Sequence, residues 1–199
     1  MAGGSSPAGT LPVVLALGAN LGDPVRTLTS AVDALSAAEG LTVVAVSPLA
    51  RTEPVGGPDQ PAYLNAVVLA RTTLTPQSVL ALAHEVEAAA GRERSVRWGP
   101  RTLDVDVVQY GEPPDTADSD DPDLTLPHPR AHERAFVLWP WAQADPGAVL
   151  VRADGAEEPV AALAEQAPDR PGLVPGPSWP ARSRAAALVR RGELRAAER

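Results

Sequence analysis

The chain of 199 residues contains no cysteine and no lysine, so several kinds of chemistry are excluded from the start. Without cysteine, it forms neither disulfide bonds nor thiolate metal sites. Without lysine, it lacks the Gly-Lys-Ser/Thr sequence of a Walker-type phosphate loop and the amine that Schiff-base catalysis requires. All 17 basic residues are therefore arginines.

A long apolar run and a signal peptide are also absent, which predicts a soluble, cytoplasmic protein that has no membrane partner. The length is that of one domain of ordinary size. We expect a flexible leader at residues 1–10, one domain at residues 11–165, and a Pro/Gly-rich linker with an Arg/Ala-rich helical tail at residues 166–199. The change of composition after Ala167 predicts that the tail lies outside the apolar core and is dispensable for catalysis.

The charge distribution points to a small anionic partner. The formal net charge is −8, which argues against a nucleic acid bound through a broad basic face. Residues 181–199 carry +4, which leaves −12 for residues 1–180. Within that acidic body, four arginines lie between residues 92 and 101, and a local positive site of this kind attracts a small anion. We therefore expect small-molecule substrates, and we expect the chain to be a monomer.

The apolar pattern predicts helices and strands in a particular order. Asp23 and Thr75, each followed by a proline, are typical helix N-caps, and Gly40 and Gly91 end the two helical periods. Strands are predicted at residues 12–17, 41–46, 63–70 and 103–107. The order strand, helix, strand, strand, helix, strand is that of the ferredoxin-like βαββαβ unit. The sequence thus predicts an α+β fold with an antiparallel sheet, helices packed on it and a C-terminal extension.

Residues 91–107 combine a cluster of arginines with two aspartates. The arginine half contains a Gly-Pro turn and no apolar period, which indicates a mobile loop, whereas apolar residues alternate with Asp104 and Asp106 as in a half-buried strand. Because residues two apart on a strand face the same side, both carboxylates point to one place beside the cationic loop. A divalent metal that carries a polyphosphate suits this arrangement, and arginine binds phosphate oxygens bidentately.

Each half of this motif also has a plainer explanation. An Asp-x-Asp pair is often the solvated face of an antiparallel sheet, and an arginine cluster is often an ordinary wet surface. The adjacency of the two halves across Gly99 and Pro100 favours a metal and phosphate site.

Other segments give weaker signals. Residues 51–65 form a loop too rich in proline and glycine for a simple hairpin, and long loops of this kind are commonly functional. Tyr63 and Asn65 would offer a flat polar ligand a ring face and an amide, or be an ordinary strand aromatic and a turn residue. Residues 112–123 are acidic but lack the EF-hand pattern, which predicts a solvated loop without regular structure. His128 lies between two prolines, and three scattered histidines without cysteine argue against a zinc site.

Taken together, the motifs resemble those of the 6-hydroxymethyl-7,8-dihydropterin pyrophosphokinases of folate biosynthesis. The most specific one is Arg-Trp-Gly-Pro-Arg-Thr-Leu-Asp-Val-Asp at residues 97–106. The other matching stretches are residues 15–22, 51–56, 59–65, 91–92 and 127–140. The resemblance implies transfer of the pyrophosphoryl group of ATP to the hydroxymethyl oxygen of the pterin, with AMP as the second product.

The resemblance also implies roles for individual residues. Asp104 and Asp106 would hold two magnesium ions, and Arg92 and Arg101 would steady the transferring group. The implied ATP contacts are Glu87, Arg92, Arg101, Val107, His128 and Arg134. The implied pterin contacts are Thr52, Pro54, Val55, Tyr63, Asn65, Trp98 and Phe136, with Tyr63 and Phe136 stacking on the ring.

Two other classes of protein stay open at this point. A non-catalytic pterin or nucleotide sensor with a partner-binding tail would not need both aspartates and both arginines. A metal-dependent nucleotidyl or glycosyl transferase also uses Asp-x-Asp, but its products differ.

Overall fold

The computed structural model describes residues 9–54, 60–91 and 102–197, with side chains up to residue 192. The helices in these residues are α1 (Pro24–Ala37), α2 (Pro76–Ala89), α3 (Ala135–Ala144), α4 (Val160–Gln166) and α5 (Arg184–Ala197). The strands are β1 (Leu11–Ala19), β2 (Leu41–Val46), β3 (Ala50–Thr52), β4 (Tyr63–Thr72), β5 (Asp104–Tyr110), β6 (Ser119–Asp121), β7 (Leu124–Leu126), β8 (Val149–Val151), β9 (Glu157–Pro159) and β10 (Leu173–Pro175). Short 3-10 turns cover Ala131–Glu133 and Arg170–Gly172. In this described part of the chain, no helix combines the length and the apolar character that crossing a membrane requires.

The two predicted helix starts are confirmed. The Asp23 carboxylate accepts a hydrogen bond from the Arg26 N–H at 3.1 Å, and the Thr75 hydroxyl accepts one from the Ser78 N–H at 3.2 Å. Each bond satisfies an N–H that the first helical turn leaves without a partner. The proline that follows each cap begins the helix, because its missing N–H costs nothing there.

The main sheet is antiparallel and is centred on the longest strands. Strand β1 lies between β4 and β5, and the far edge of β4 is shared by β2 and β3, with β10 outside β3. Ser47 joins the ends of β2 and β3, since its N–H donates to the Val67 carbonyl and its hydroxyl accepts from the Val67 N–H, both at 2.9 Å. The molecule is therefore a mixed α and β structure with helices on an antiparallel sheet.

The period of two along the strands divides the core into two layers. Leu15, Leu17, Val68 and Val105 face α1 and α2, where they pack with Leu28 and other buried residues of those helices. Alternate positions on the same strands face α3 and α4, where they pack with residues such as Leu138 and Trp141. The sheet is thus covered by helices on both faces.

The prediction that the chain after Ala167 lies outside the apolar core is wrong. Leu173 pairs with Thr52 at the sheet edge and is buried between the sheet and α3. The Trp179 indole N–H donates to the Ser47 carbonyl at 2.8 Å, and Ala185 and Leu188 of α5 are buried against the α1 side. The proline and glycine content suggested a linker, but single apolar residues spaced along it reach both layers of the core.

The prediction of no regular structure at residues 112–123 is wrong for the end of that segment. Strand β6 pairs with β7, and the Asp123 N–H donates to the Asp121 carboxylate at 2.9 Å in the turn between them. Leu124 and Leu126 anchor this hairpin in the core. The aspartates themselves are exposed at residues 118, 120, 121 and 123, as a solvated segment requires.

Candidate active site

Asp104 and Asp106 lie at the start of β5 and share one face of the sheet, as the alternation predicts. The flanking Leu103, Val105 and Val107 are buried on the α1 and α2 side, so the two half-buried aspartates face the α3 side. The Arg134 Nη1 atom lies 3.9 Å from Asp106 Oδ2, and the Asp106 side chain is 40% exposed. The Asp104 and Asp106 carboxylates thus lie on one face and are partly exposed to solvent, with the Arg134 guanidinium beside Asp106.

A row of residues across the sheet connects this pair with the predicted pterin residues. Gly18 of β1 is opposite Asn65 of β4 on one side and opposite Asp104 of β5 on the other. Neighbouring strands are about 4.8 Å apart, so the backbones at Asn65 and Asp104 are separated by roughly 10 Å. Since Gly18 has no side chain, no Cβ lies between the amide and the carboxylates in this row. We call this surface, bounded by Asn65, Gly18 and Asp104, the groove floor.

Gly18 leaves little room for a larger residue. A Cβ atom added at Gly18 would lie 3.2 Å from the Asn65 Oδ1 atom. The motif at residues 15–22 contains Gly18, but the site prediction did not include it. Only the register of three neighbouring strands shows that this glycine lies between the two halves of the site.

Asn65 is held in a fixed orientation. Its Nδ2 donates to the Thr52 hydroxyl at 2.9 Å, and both residues are buried. The amide nitrogen is thereby directed toward β3, while its oxygen is the atom nearest to Gly18. A buried amide satisfied on one side in this way presents a defined hydrogen-bonding edge to a ligand.

Tyr63 belongs to a second polar network at the same end of the sheet. Its hydroxyl donates to Gln60 Oε1 at 3.0 Å, and the Asn20 amide donates to the same oxygen and to the Pro61 carbonyl, both at 3.0 Å. Asn20 is 2% exposed and ties the turn after β1 to the chain that enters β4. Site prediction did not include Asn20, although it lies in the motif at residues 15–22. Pro54 follows β3 at a half-buried position near this end.

Arg134 and Phe136 lie at the start of α3. The Arg134 guanidinium carbon is 5.5 Å from the centre of the Phe136 ring, which is within the range of a cation–π interaction. Phe136 is half-buried against the α3 side of the core. Arg134 therefore lies near both an aromatic ring and the Asp106 carboxylate.

His128 is held in one tautomer. Its backbone N–H donates to the Val108 carbonyl at 2.9 Å, and its Nδ1 accepts from the Arg130 N–H at 3.2 Å. Burial, followed by the positive charge of Arg134, lowers the pKa of His128 to about 4, although Asp104 opposes this change. The ring is therefore neutral near pH 7 and carries its proton on Nε2, where it can donate to an acceptor such as a phosphate oxygen or a nucleobase.

Glu87 and Val107 lie on the α2 side of the sheet. Glu87 is 2% exposed, and its Oε1 accepts from the Val105 N–H at 2.8 Å, so it fastens α2 to β5. Glutamate side chains are rarely this buried, so the hydrogen bond to Val105 is what makes the burial of Glu87 tolerable. The Val107 side chain is 5% exposed and lies in the core. The implied ATP contacts of both residues stay predictions.

Four of the predicted site residues, Val55, Arg92, Trp98 and Arg101, lie outside the described residues. Among the residues that are described, no three acidic or histidine side chains form a ready metal cage. A magnesium ion commonly uses only one or two carboxylates and completes its shell with substrate phosphates and water. The pair of Asp104 and Asp106 fits that donor set.

Comparisons with known proteins identify relatives of this chain. The sequence profile of a family described as 7,8-dihydro-6-hydroxymethylpterin-pyrophosphokinase (HPPK) matches residues 14–146. A 2-amino-4-hydroxy-6-hydroxymethyldihydropteridine pyrophosphokinase of Mycobacterium tuberculosis H37Rv is 45% identical over 157 residues, which cover 76% of this chain and 81% of that protein. Proteins with the same description from Methylorubrum extorquens and Pseudomonas aeruginosa are 46% and 41% identical and cover 68% and 67% of this chain and 84% and 80% of their own.

Solved structures are similar to this chain at the level of the fold. The wild-type HPPK-DHPS protein of Plasmodium falciparum superposes with a TM-score of 0.56 at 13% identity over 79% of this chain. The chain spans 44% of that longer protein. Since the profile matches well over half of the residues and the bacterial relatives exceed 40% identity, the chain belongs to the 7,8-dihydro-6-hydroxymethylpterin-pyrophosphokinase family.

Proposed function

We propose that this chain is an ATP-dependent diphosphotransferase that transfers pyrophosphate from ATP to 6-hydroxymethyl-7,8-dihydropterin in folate biosynthesis. The observation that carries the proposal is the row of Asn65, Gly18 and Asp104 across the sheet. In this row the Asn65 amide, which we propose binds the pterin, and the Asp104 and Asp106 carboxylates, which we propose bind the metal, lie at opposite sides of the groove floor. Membership of the family and the names of its bacterial members support the same reaction. The strand order β5, β1, β4, β2 supports the ferredoxin-like topology that the sequence predicts.

The reaction needs positioning and charge neutralisation more than a nucleophilic side chain. A bond forms between the hydroxymethyl oxygen and the β-phosphorus, and the bond from that phosphorus to the α–β bridging oxygen breaks. The hydroxymethyl proton is released, AMP leaves, and both outer phosphates stay on the pterin. Serine and cysteine nucleophiles have no part in this displacement.

The acidic side of the groove floor is suited to the phosphates. Asp104 and Asp106 would hold Mg²⁺, two ions by family resemblance, which would neutralise the charge of the polyphosphate. Arg134 lies beside Asp106 with its guanidinium oriented by the Phe136 ring, so it can donate to a phosphate oxygen. The neutral His128 donates from Nε2 to the nucleotide. Arg92 and Arg101 keep their proposed roles on the transferring group.

The other side of the groove floor is suited to a flat heterocycle. Asn65, oriented by Thr52, offers an amide edge, and Tyr63, with its hydroxyl held by Gln60, offers a ring. Phe136 supplies the second ring from α3. We assign the pterin to this side, with Pro54, Val55 and Trp98 as further contacts that the family resemblance implies.

Product analysis tests the function directly. The protein is mixed with ATP, Mg²⁺ and reduced 6-hydroxymethylpterin, and the products are identified by mass spectrometry. We expect AMP and a pterin diphosphate in equal amounts. Pterin and ATP binding without either product would favour the sensor, and transfer of AMP or of a sugar would favour the other transferases.

A further inference from the structure

Helix α3 begins in an unusual way. The residue at its N-cap is Arg134, whose side chain has no atom that accepts a hydrogen bond, whereas helices usually begin with Ser, Thr, Asp or Asn. The N–H groups of the first turn, which have no partner within the helix, must then find an acceptor elsewhere. The Ala135 N–H donates to the Asp169 Oδ1 atom at 2.7 Å, although the two residues are 34 positions apart.

Asp169 is itself held firmly in place. It precedes the 3-10 turn at Arg170–Gly172, where the Arg170 N–H donates to the Ala167 carbonyl at 3.0 Å and the Gly172 N–H donates to the Asp169 carbonyl at 3.2 Å. Ala167 on one side and Leu173 on the other are buried against the α3 layer. The acceptor therefore comes from a packed segment, and this segment lies beyond residues 14–146 that the family profile matches.

The hydrogen bond holds the point of α3 from which two site residues project. Arg134 and Phe136 flank Ala135, and they extend to Asp106 and to each other. An aspartate at position 134 would cap the helix but would remove the guanidinium from the groove floor. Capping by Asp169 instead leaves the Arg134 side chain available for ligand. Its negative charge also lies near the positive end of the helix, where it is favourable.

We propose that Asp169 is a positioning residue, whose carboxylate fixes the first turn of α3 so that Arg134 meets the ATP phosphates. This inference rests on the proposed role of Arg134 in binding ATP. Asp169 acts only through Ala135 and Arg134 and has no contact of its own with either substrate.

The test is a double-mutant cycle on the full-length enzyme with steady-state kinetics. The variants are Asp169→Ala, Arg134→Ala and the two combined. Loss of the cap is expected to raise the KM for ATP roughly three- to tenfold, with kcat within about twofold of the unchanged enzyme. In the Arg134→Ala background, the same change at position 169 is expected to have no further effect on that KM, since the two residues act as one unit.

Two further variants separate positioning from general stability. Asp145→Ala removes a carboxylate that accepts from the Gly147 N–H at the opposite end of α3, at 3.1 Å, and should leave the KM for ATP unchanged. Asp169→Asn keeps an oxygen that can accept from Ala135 and should restore most of the ATP affinity. Should Asp169→Ala not fold, Asp169→Ser takes its place in the cycle, because the shorter side chain withdraws the oxygen and stays polar.

The outcomes distinguish this inference from the assignment beneath it. If Arg134→Ala raises the KM for ATP and Asp169→Ala does not, the positioning role is wrong and the ATP site stands. If the two effects add in full, Asp169 does not act through Arg134, and the inference is overturned. If Arg134→Ala leaves the KM unchanged, the assignment of Arg134 fails and this inference fails with it.

Discussion

The two faces of the main sheet use the same strands for different purposes. The face toward α1 and α2 presents Leu15, Leu17 and Val105, all buried in an apolar layer. The face toward α3 presents Gly18, Asn65, Asp104 and Asp106 at one end of those strands. Because side chains alternate, a slip by one residue would turn the carboxylates into the apolar layer under α1 and α2 and turn the leucines toward the α3 side. The pairing of β1 with β4 is unbroken over nine positions. This register therefore determines both which residues are buried in the core and which residues face the site.

The largest effect is expected from removing the C-terminal segment, which contributes to the layers on both faces. A chain that ends after Ala167 loses Leu173 from the α3 layer and Trp179, Ala185 and Leu188 from the α1 layer. The three large side chains, each contributing about 1.5–3 kcal/mol, together contribute as much as the whole reserve of a marginally stable domain, so we expect no cooperatively folded protein. Circular dichroism and urea unfolding measure this.

A shorter deletion serves as the control. A chain that ends after Pro180 keeps β10 and Trp179 and loses only α5, which packs on the α1 face. It should fold with lower stability and an unchanged KM for both substrates. Normal stability of the chain ending at Ala167 would show that the contacts of the C-terminal segment contribute nothing.

The next largest effect is expected on the α3 face. Asp104→Asn should lower kcat by roughly 10²–10³-fold, because it removes charge where the polyphosphate must be neutralised. The same change should alter the free energy of unfolding little, since the side chain is half-buried at a solvent-open position. Stopped-flow or coupled assays of AMP release measure the rate, and near-normal turnover would contradict the assignment.

Leu15→Ala, on strand β1 next to β5, is expected to change stability and to leave substrate binding unchanged. Leu15 is 0% exposed, and replacing a buried leucine by alanine lowers the free energy of unfolding by about 2–5 kcal/mol. Its side chain lies on the face away from the groove floor, so KM values measured well below the melting temperature should not change. A rise in KM without loss of stability would mean that the two faces are not separable.

Gly18→Ala probes the groove floor itself. The added methyl would lie 3.2 Å from Asn65 Oδ1, beside the amide that we propose binds the pterin. We expect the KM for the pterin to rise about tenfold, which corresponds to about 1.4 kcal/mol. Gly172→Ala is a matched control, because a Cβ there meets no atom within 4 Å. Equal effects of the two changes would remove Gly18 from the site.

The last prediction concerns pH, and its effect is confined to acidic conditions. Since burial and Arg134 lower the pKa of His128 to about 4 from 6.5, the unfolded chain binds more protons than the folded one between these values. The stability contributed by the neutral ring is complete above about pH 6.5 and is lost as the pH falls toward 4. His128→Gln should make the free energy of unfolding less dependent on pH in this window, by at most about 3.4 kcal/mol. An unchanged pH profile of unfolding would contradict the burial of His128.

Much of this arrangement follows from local sequence. The cap-proline pairs at residues 23–24 and 75–76 predicted the starts of the two helices. The alternation around Asp104 and Asp106 predicted that the two carboxylates share one face. These signals are local, because caps and strand periods act over a few residues.

The parts that sequence did not predict depend on distant contacts. Gly18 gains its role from strand register, Asp169 from a hydrogen bond to a residue 34 positions away, and Trp179 from one to a residue 132 positions away. The linker-like composition around Trp179 concealed the few apolar residues that complete the core. The burial of Glu87 also depends on a distant contact, because the Val105 N–H from which it accepts belongs to a different element.

The central claim is that Asp104 and Asp106 form the metal-binding side of the groove floor. Its most direct test measures manganese binding by electron paramagnetic resonance in the presence of a non-hydrolysable ATP analogue. We expect about two Mn²⁺ ions per chain for the unchanged protein and for Asp118→Asn/Asp120→Asn, which removes the same charge at the same spacing from exposed positions. We expect Asp104→Asn/Asp106→Asn to lose this binding while remaining folded. Equal manganese binding by both double variants would contradict the account.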